Sequence, residues 1–100
     1  MGRLESAIQR DIILYLRGLE AAYVLNYGGS ASGAKGTPDL LVCYKGRFIG
    51  LEVKRPDSNY TLTTAQQIRL RQIARAGGIG LGVESLQDVV DLIKSLEESV

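Results

Sequence analysis

The sequence predicts a single α/β domain in the order αβββαβα, a central mixed sheet flanked by helices. Three observations predict it. Apolar residues recur at helical spacing near both ends of the chain; two apolar runs in the middle flank Lys45-Gly46; and Gly77-Gly78 separates a second helical stretch from a short alternating one. With 45% hydrophobic and 23% charged residues among 100, the composition is that of an ordinary globular chain. A chain of this length closes one modest core, and no linker divides it, so residues 1–100 read as one domain.

The first helix is expected from about Leu4 to Leu19. Leu4, Ile8, Ile12, Tyr15, Leu16 and Leu19 share one stripe, with Arg3, Ser6, Arg10 and Arg17 opposite. Glu5 falls inside the apolar stripe, between the directions of Ile12 and Leu16, with Gln9 at its edge. Tyr23 to Tyr27 has the aromatic and β-branched content of a strand. Gly28 to Thr37 reads as a flexible flap that lacks the Gly-Lys-Ser/Thr ending of a phosphate-binding loop. Pro38 suits the start of a strand. Leu40–Tyr44 and Phe48–Val53 then form a hairpin about Lys45-Gly46. Arg55 to Thr61 is a polar loop. Thr63 and Gln66 have the spacing of a capping box that opens the second helix, and Gly77-Gly78 ends it. Ile79 to Val83 alternates as a strand. Ser85 caps the last helix, whose apolar residues are Leu86, Val89, Val90, Ile93 and Leu96.

Composition also excludes whole classes of chemistry. There is no histidine, so histidine bases, histidine-paired nucleophiles and histidine-ligated zinc are absent. A net charge of +1 excludes a strongly basic nucleic-acid coat, although a local basic rim around an acidic site is compatible with it. The chain starts without an apolar signal segment, and no stretch approaches the ~20 apolar residues that cross a bilayer. The one cysteine, Cys43, lies in a strand as a small core residue and suits a reducing cytoplasm.

The hairpin register carries the chemistry. If Tyr44 pairs with Arg47, Asp39 faces Glu52, with Cβ atoms ~4.5–5.5 Å apart on one face of the sheet. Facing carboxylates repel unless a cation lies between them, and a hard oxygen site favours Mg²⁺ or Mn²⁺. Lys54 lies two residues past Glu52 on the same face, where an ammonium can orient or deprotonate a water, or stabilise charge on a phosphoryl oxygen. The Val53 carbonyl is a further candidate ligand. Glu5 can reach the same metal directly or through water, and Gln66 is a candidate for positioning water. Each has a plainer reading. Glu52-Val53-Lys54 alone resembles a solvated strand face; Glu5 a first-turn acid favoured by the helix dipole; Gln66 a cap. Arg69, Arg71 and Arg75 read first as a solvated helix face and second as phosphate contacts. What favours function at Asp39, Glu52 and Lys54 is the hairpin around them. It is apolar on both faces, with Leu41, Cys43 and Phe48 on one and Leu40, Val42, Ile49, Leu51 and Val53 on the other, as in a covered sheet.

In order along the chain stand a helix with Glu5, Gly36-Thr37-Pro38-Asp39-Leu40-Leu41, Glu52-Val53-Lys54-Arg55-Pro56, Leu62-Thr63-x-x-Gln66 and Gly77-Gly78. This set resembles the VRR-NUC (virus-type replication-repair nuclease) domain over nearly the whole chain, within the PD-(D/E)xK superfamily. The resemblance implies a divalent-metal-dependent endonuclease acting on branched DNA such as four-way junctions. By matching motif, Asp39 and Glu52 bind the metal, Lys54 is the catalytic lysine, and Glu5 and Gln66 complete the site. It further implies a stand-alone viral or bacterial protein that pairs as a homodimer and works in the cytoplasm of a bacterial or phage-infected cell. Ile13, Leu14 and Ile68, lying off the core stripes, are candidates for that interface. Two alternatives stay open: a non-catalytic DNA-binding module of the same fold, and a nuclease of RNA or linear duplex DNA.

Overall fold

The computed structural model describes residues 4–27, 35–56 and 61–98. Most of the expected flap and of the polar loop, residues 28–34 and 57–60, lies outside them. Seven elements follow in the expected order: α1 (Glu5–Arg17), β1 (Ala22–Asn26), β2 (Leu40–Tyr44), β3 (Arg47–Val53), α2 (Thr64–Arg75), β4 (Ile79–Val83) and α3 (Leu86–Glu98). The strands form one mixed sheet in the order β1-β2-β3-β4, antiparallel across the first three and parallel between β3 and β4.

The β2–β3 hairpin turns on two residues, Lys45 (φ +49°) and Gly46 (φ +82°). Positive φ at both matches a type I′ turn, whose twist suits antiparallel strands. Tyr44 therefore pairs with Arg47, and the ladder runs to Leu40 opposite Leu51. The Tyr44 hydroxyl donates to Glu97 Oε1 of α3, and the Lys45 ammonium lies 3.8 Å from the same carboxylate. That hydrogen bond, together with burial and the Glu97 charge, pushes the Tyr44 hydroxyl up to about 12. The turn is thus fastened to the last helix.

One face of the sheet carries the core. Val24, Leu40, Val42, Ile49, Leu51, Val53 and Val83 bury against Ile8, Ile12 and Leu16 of α1 and against Val89 and Ile93 of α3. The sheet, β1 and α3 all meet α1, so its buried sector is wider than one stripe. Ile13, expected outside the core, is therefore buried in it, whereas Leu4 stands exposed ahead of the first turn. Leu14 and Ile68 are exposed as expected.

On the other face α2 covers only β3 and β4. Gly80 permits this approach, because a Cβ there would run into the backbone of Leu70. The capping box of Thr63 and Gln66 opens α2. At the far end Gly77 (φ +95°) donates to the Ala74 carbonyl and Gly78 to that of Ile73, a Schellman closure. Among the described elements none covers the face over β1 and β2 beyond α2. Cys43, expected in the core, is exposed, and so are Tyr23, Leu25 and Phe48. The expectation of a hairpin covered on both sides holds for β3 only in part, because one helix spans about two strands.

Candidate active site

Asp39 lies one step beyond the last ladder pair of β2, which brings it opposite Glu52. Its place is held on both sides. The Tyr27 N–H donates to the Asp39 carbonyl (2.9 Å), and the Val53 N–H donates to Asp39 Oδ2 (2.8 Å). Upstream, Gly36 (φ +83°) lies against the Ala65 backbone at the start of α2, too close for any Cβ. Arg69 Nε donates to the Lys35 carbonyl (3.2 Å). The segment leading to Asp39 is therefore docked on α2, and only glycine fits both the space and the left-handed backbone at position 36.

Glu52 is only 4% exposed, and it is the one buried charged residue among those described. Its carboxyl is pushed up from 4.5 to about 8. Burial is the largest cause, followed by the hydrogen bond to the Asp39 carboxyl and the Asp39 charge; the Lys54 ammonium acts the other way, and the Glu5 carboxylate adds to the rise. A buried carboxyl beside a second one keeps its proton because the charged pair is so unfavourable there. Lys54 follows Glu52 at half-exposure, its N–H donating to the Val83 carbonyl (2.9 Å).

The structure thus gathers Asp39, Glu52 and Lys54 at the C-terminal end of β3, with Glu5 near enough for its charge to act on Glu52. Glu5 does not join a ligand cluster: among the described residues no three carboxylates or thiols come together. Gln66 stands in the capping box that opens α2. Its side chain accepts from the Thr63 N–H (2.9 Å) and its own N–H donates to Thr63 Oγ1 (3.1 Å). The sequence reading passed over Tyr23 and Phe48, the exposed rings on the same face as the carboxylates; their signal was the strand alternation that turns them away from Val24 and Ile49.

The fold and this geometry can be set beside known proteins. No family model and no curated protein matches the sequence. Among solved structures, a "VRR_NUC domain protein" superposes with a TM-score of 0.74 at 18% identity, over 94% of this chain and 88% of that one. A second, a "VRR_NUC domain", superposes with a TM-score of 0.72 at 26% identity, over 90% of this chain and 94% of the other. The chain folds as a VRR-NUC domain. This is the PD-(D/E)xK type of architecture, a nuclease-type fold, and it agrees with the element order and mixed sheet expected from sequence.

In the VRR-NUC fold of this chain the donor chemistry suits a hard divalent cation. The Glu52 carboxyl is buried against Asp39 of the neighbouring strand and pushed up to about 8, and a cation that displaced its proton would relieve both repulsion and desolvation. Among the described residues no helix is long and apolar enough to cross a membrane.

Proposed function

We propose that the chain is a divalent-metal-dependent endonuclease that hydrolyses phosphodiester bonds in DNA, with branched DNA such as four-way junctions as its substrate. The observation that carries this reading is the buried Glu52 carboxyl, pushed up to about 8, set against Asp39 with Lys54 beside them. A binding module gains nothing from carboxylates turned toward phosphate, and a structural role is better filled by apolar residues.

In this reading Asp39, Glu52 and the Val53 carbonyl would hold Mg²⁺ or Mn²⁺, with Glu5 reaching the ion through water. The ion supplies Lewis-acid polarisation of the phosphate and a more acidic water. Lys54 Nζ orients the attacking water and stabilises charge on the non-bridging oxygens. The water oxygen forms a bond to phosphorus, one P–O ester bond breaks, and the departing oxygen takes up a proton. Gln66 positions water from the start of α2, its side-chain oxygen remaining in the cap. Residues 1–100 act as one domain. Two copies pair to enlarge the footprint, using exposed residues such as Leu14 (64% exposed), and the protein works in the cytoplasm of a bacterial or phage-infected cell.

Purified protein should cut labelled four-way-junction DNA with Mg²⁺ or Mn²⁺ and leave it intact in chelator, with plain duplex cut more slowly. Equal cleavage in chelator would remove the metal from the mechanism. Cleavage of RNA in preference to every DNA tested would replace the substrate. Sedimentation of the same preparation as a monomer would remove the dimer.

A further inference from the structure

A groove of about 360 Å³ lies between α1 and β1, on the α1 side of the sheet. Ser6, Gln9, Arg10, Ile13 and Arg17 line it along the helix, and Asn26, the last residue of β1, faces them. Gln9 Nε2 donates to Asn26 Oδ1 (2.9 Å), which ties the two walls together. Glu5, just before Ser6, begins the helix and its charge is felt by Glu52; Tyr27, just after Asn26, donates to the Asp39 carbonyl. The lining thus stops one residue short of both contacts with the carboxylate pair. From that end of the sheet the groove follows α1 outward to Arg17.

The groove is a surface of donors. Ser6, Arg10 and Arg17 are exposed and project within ~40° of one another about the helix axis. The Gln9 and Asn26 amides stand beside them. Among the described residues no acid and no aromatic ring lines the groove; Glu5 and Asp11 each point ~100° away round the helix. Guanidinium groups hold phosphate through paired hydrogen bonds. Arg10 and Arg17 are seven residues apart, ~10 Å along the axis, which spans about three phosphates of one strand. Without rings to stack on bases, such a lining suits the backbone of a duplex and carries no sequence preference.

We infer that this groove takes the phosphate backbone of one duplex arm of the DNA, with Arg10 and Arg17 each holding a phosphate, so that the arm lies on the α1 side of the sheet. On the other face, α2 bears three arginines and no acid, and it starts where the Ala65 backbone meets Gly36, three residues before Asp39. Two arginine-bearing helices thus begin near one carboxylate pair and lie on opposite faces of the sheet. Arms that diverge from a branch point can follow both helices, whereas a straight duplex follows one. A second copy is the poorer occupant of the groove, because a two-fold contact there would set Arg10 and Arg17 against their own counterparts. The inference rests on the nuclease reading for the identity of the partner and adds to it a place of contact.

The test is equilibrium binding of fluorescein-labelled four-way-junction DNA at several salt concentrations, in chelator so that no cleavage occurs. Arg10→Gln combined with Arg17→Gln should lower the slope of log K against log salt by about 2, with the melting temperature unchanged. Arg10→Lys combined with Arg17→Lys keeps both charges and should keep the parent's slope. Lys94→Gln removes an exposed charge on α3, outside the groove, and should keep it as well. If the glutamine pair melts early, Arg17→Gln alone is read instead, with a drop of about 1. The parent's slope in the glutamine variants, or an equal drop in Lys94→Gln, overturns the groove. So does a monomer–dimer equilibrium that shifts with the glutamine pair in sedimentation, which would assign the groove to a second copy. A lowered slope in a protein whose parent cuts nothing in Mg²⁺ would retain the groove and remove the hydrolase. Cleavage with an unchanged slope would do the reverse.

Discussion

The proton on Glu52 makes the candidate site measurable without any substrate. In the folded chain that carboxyl titrates near 8, raised first by burial and then by its hydrogen bond to Asp39, whereas in the unfolded chain it ionises near 4.5. Between those values the folded state holds a proton that the unfolded state has released. Stability in chelator should therefore fall as pH rises through this window. Glu52→Gln removes the titrating group, so melting temperatures taken in chelator at about pH 5 and about pH 8 should lie closer together in the variant than in the parent. Equal differences would contradict a raised Glu52 carboxyl. Added Mn²⁺ should in turn raise the parent's melting temperature more at the higher pH, because the ion competes with that proton. At this scale much was legible in the sequence. The pairing of Asp39 with Glu52 follows from a two-residue turn and a period of two. The spacing leaves the distance of Glu5 and Gln66 from the pair open, because helical spacing gives a direction and not a reach. Gln66 points its oxygen into its own cap, and the Glu5 charge is felt by Glu52.

At the scale of elements, the approach of α2 to β4 decides how far the helix sits over the sheet, and so how much of the face stays open. Gly80 is the contact that permits it. A Cβ at that position meets the Leu70 backbone, which cannot rotate away as a side chain would. Gly80→Ala should cost about 1–3 kcal/mol in denaturant unfolding, the usual range for overfilling a close contact. A cost below about 0.5 kcal/mol, ordinary for a surface change, would mean that α2 shifts freely. Thr63→Ala should cost about 1 kcal/mol through loss of the cap. The seven elements and their order were readable because each has a period, a cap or a glycine stop. What periodicity does not encode is which strands a helix covers. For that reason Cys43 was expected inside and lies outside, and Ile13 the reverse. Both errors concern the edge of a buried sector, where one neighbouring element decides the outcome.

At the scale of the whole molecule the net charge is +1, but the helices differ: α2 has three arginines and no acid, and α3 four acids and one lysine. Nucleic acid should therefore meet the α2 side, and its affinity should fall with salt according to the few cations there. Arg71→Gln should weaken binding to all sequences alike and lower the slope of log K against log salt by about 1. A variant with the parent's slope would move the footprint off α2. The carboxylate pair lies on the side of the sheet against which α2 packs. The most direct measurement is single-turnover cleavage of branched DNA by Lys54→Ala in Mg²⁺, alongside circular dichroism of the same sample. A folded variant slowed by on the order of 10²-fold or more is the expected result. A folded Lys54→Ala protein that cuts as fast as the parent would contradict the assignment of this site.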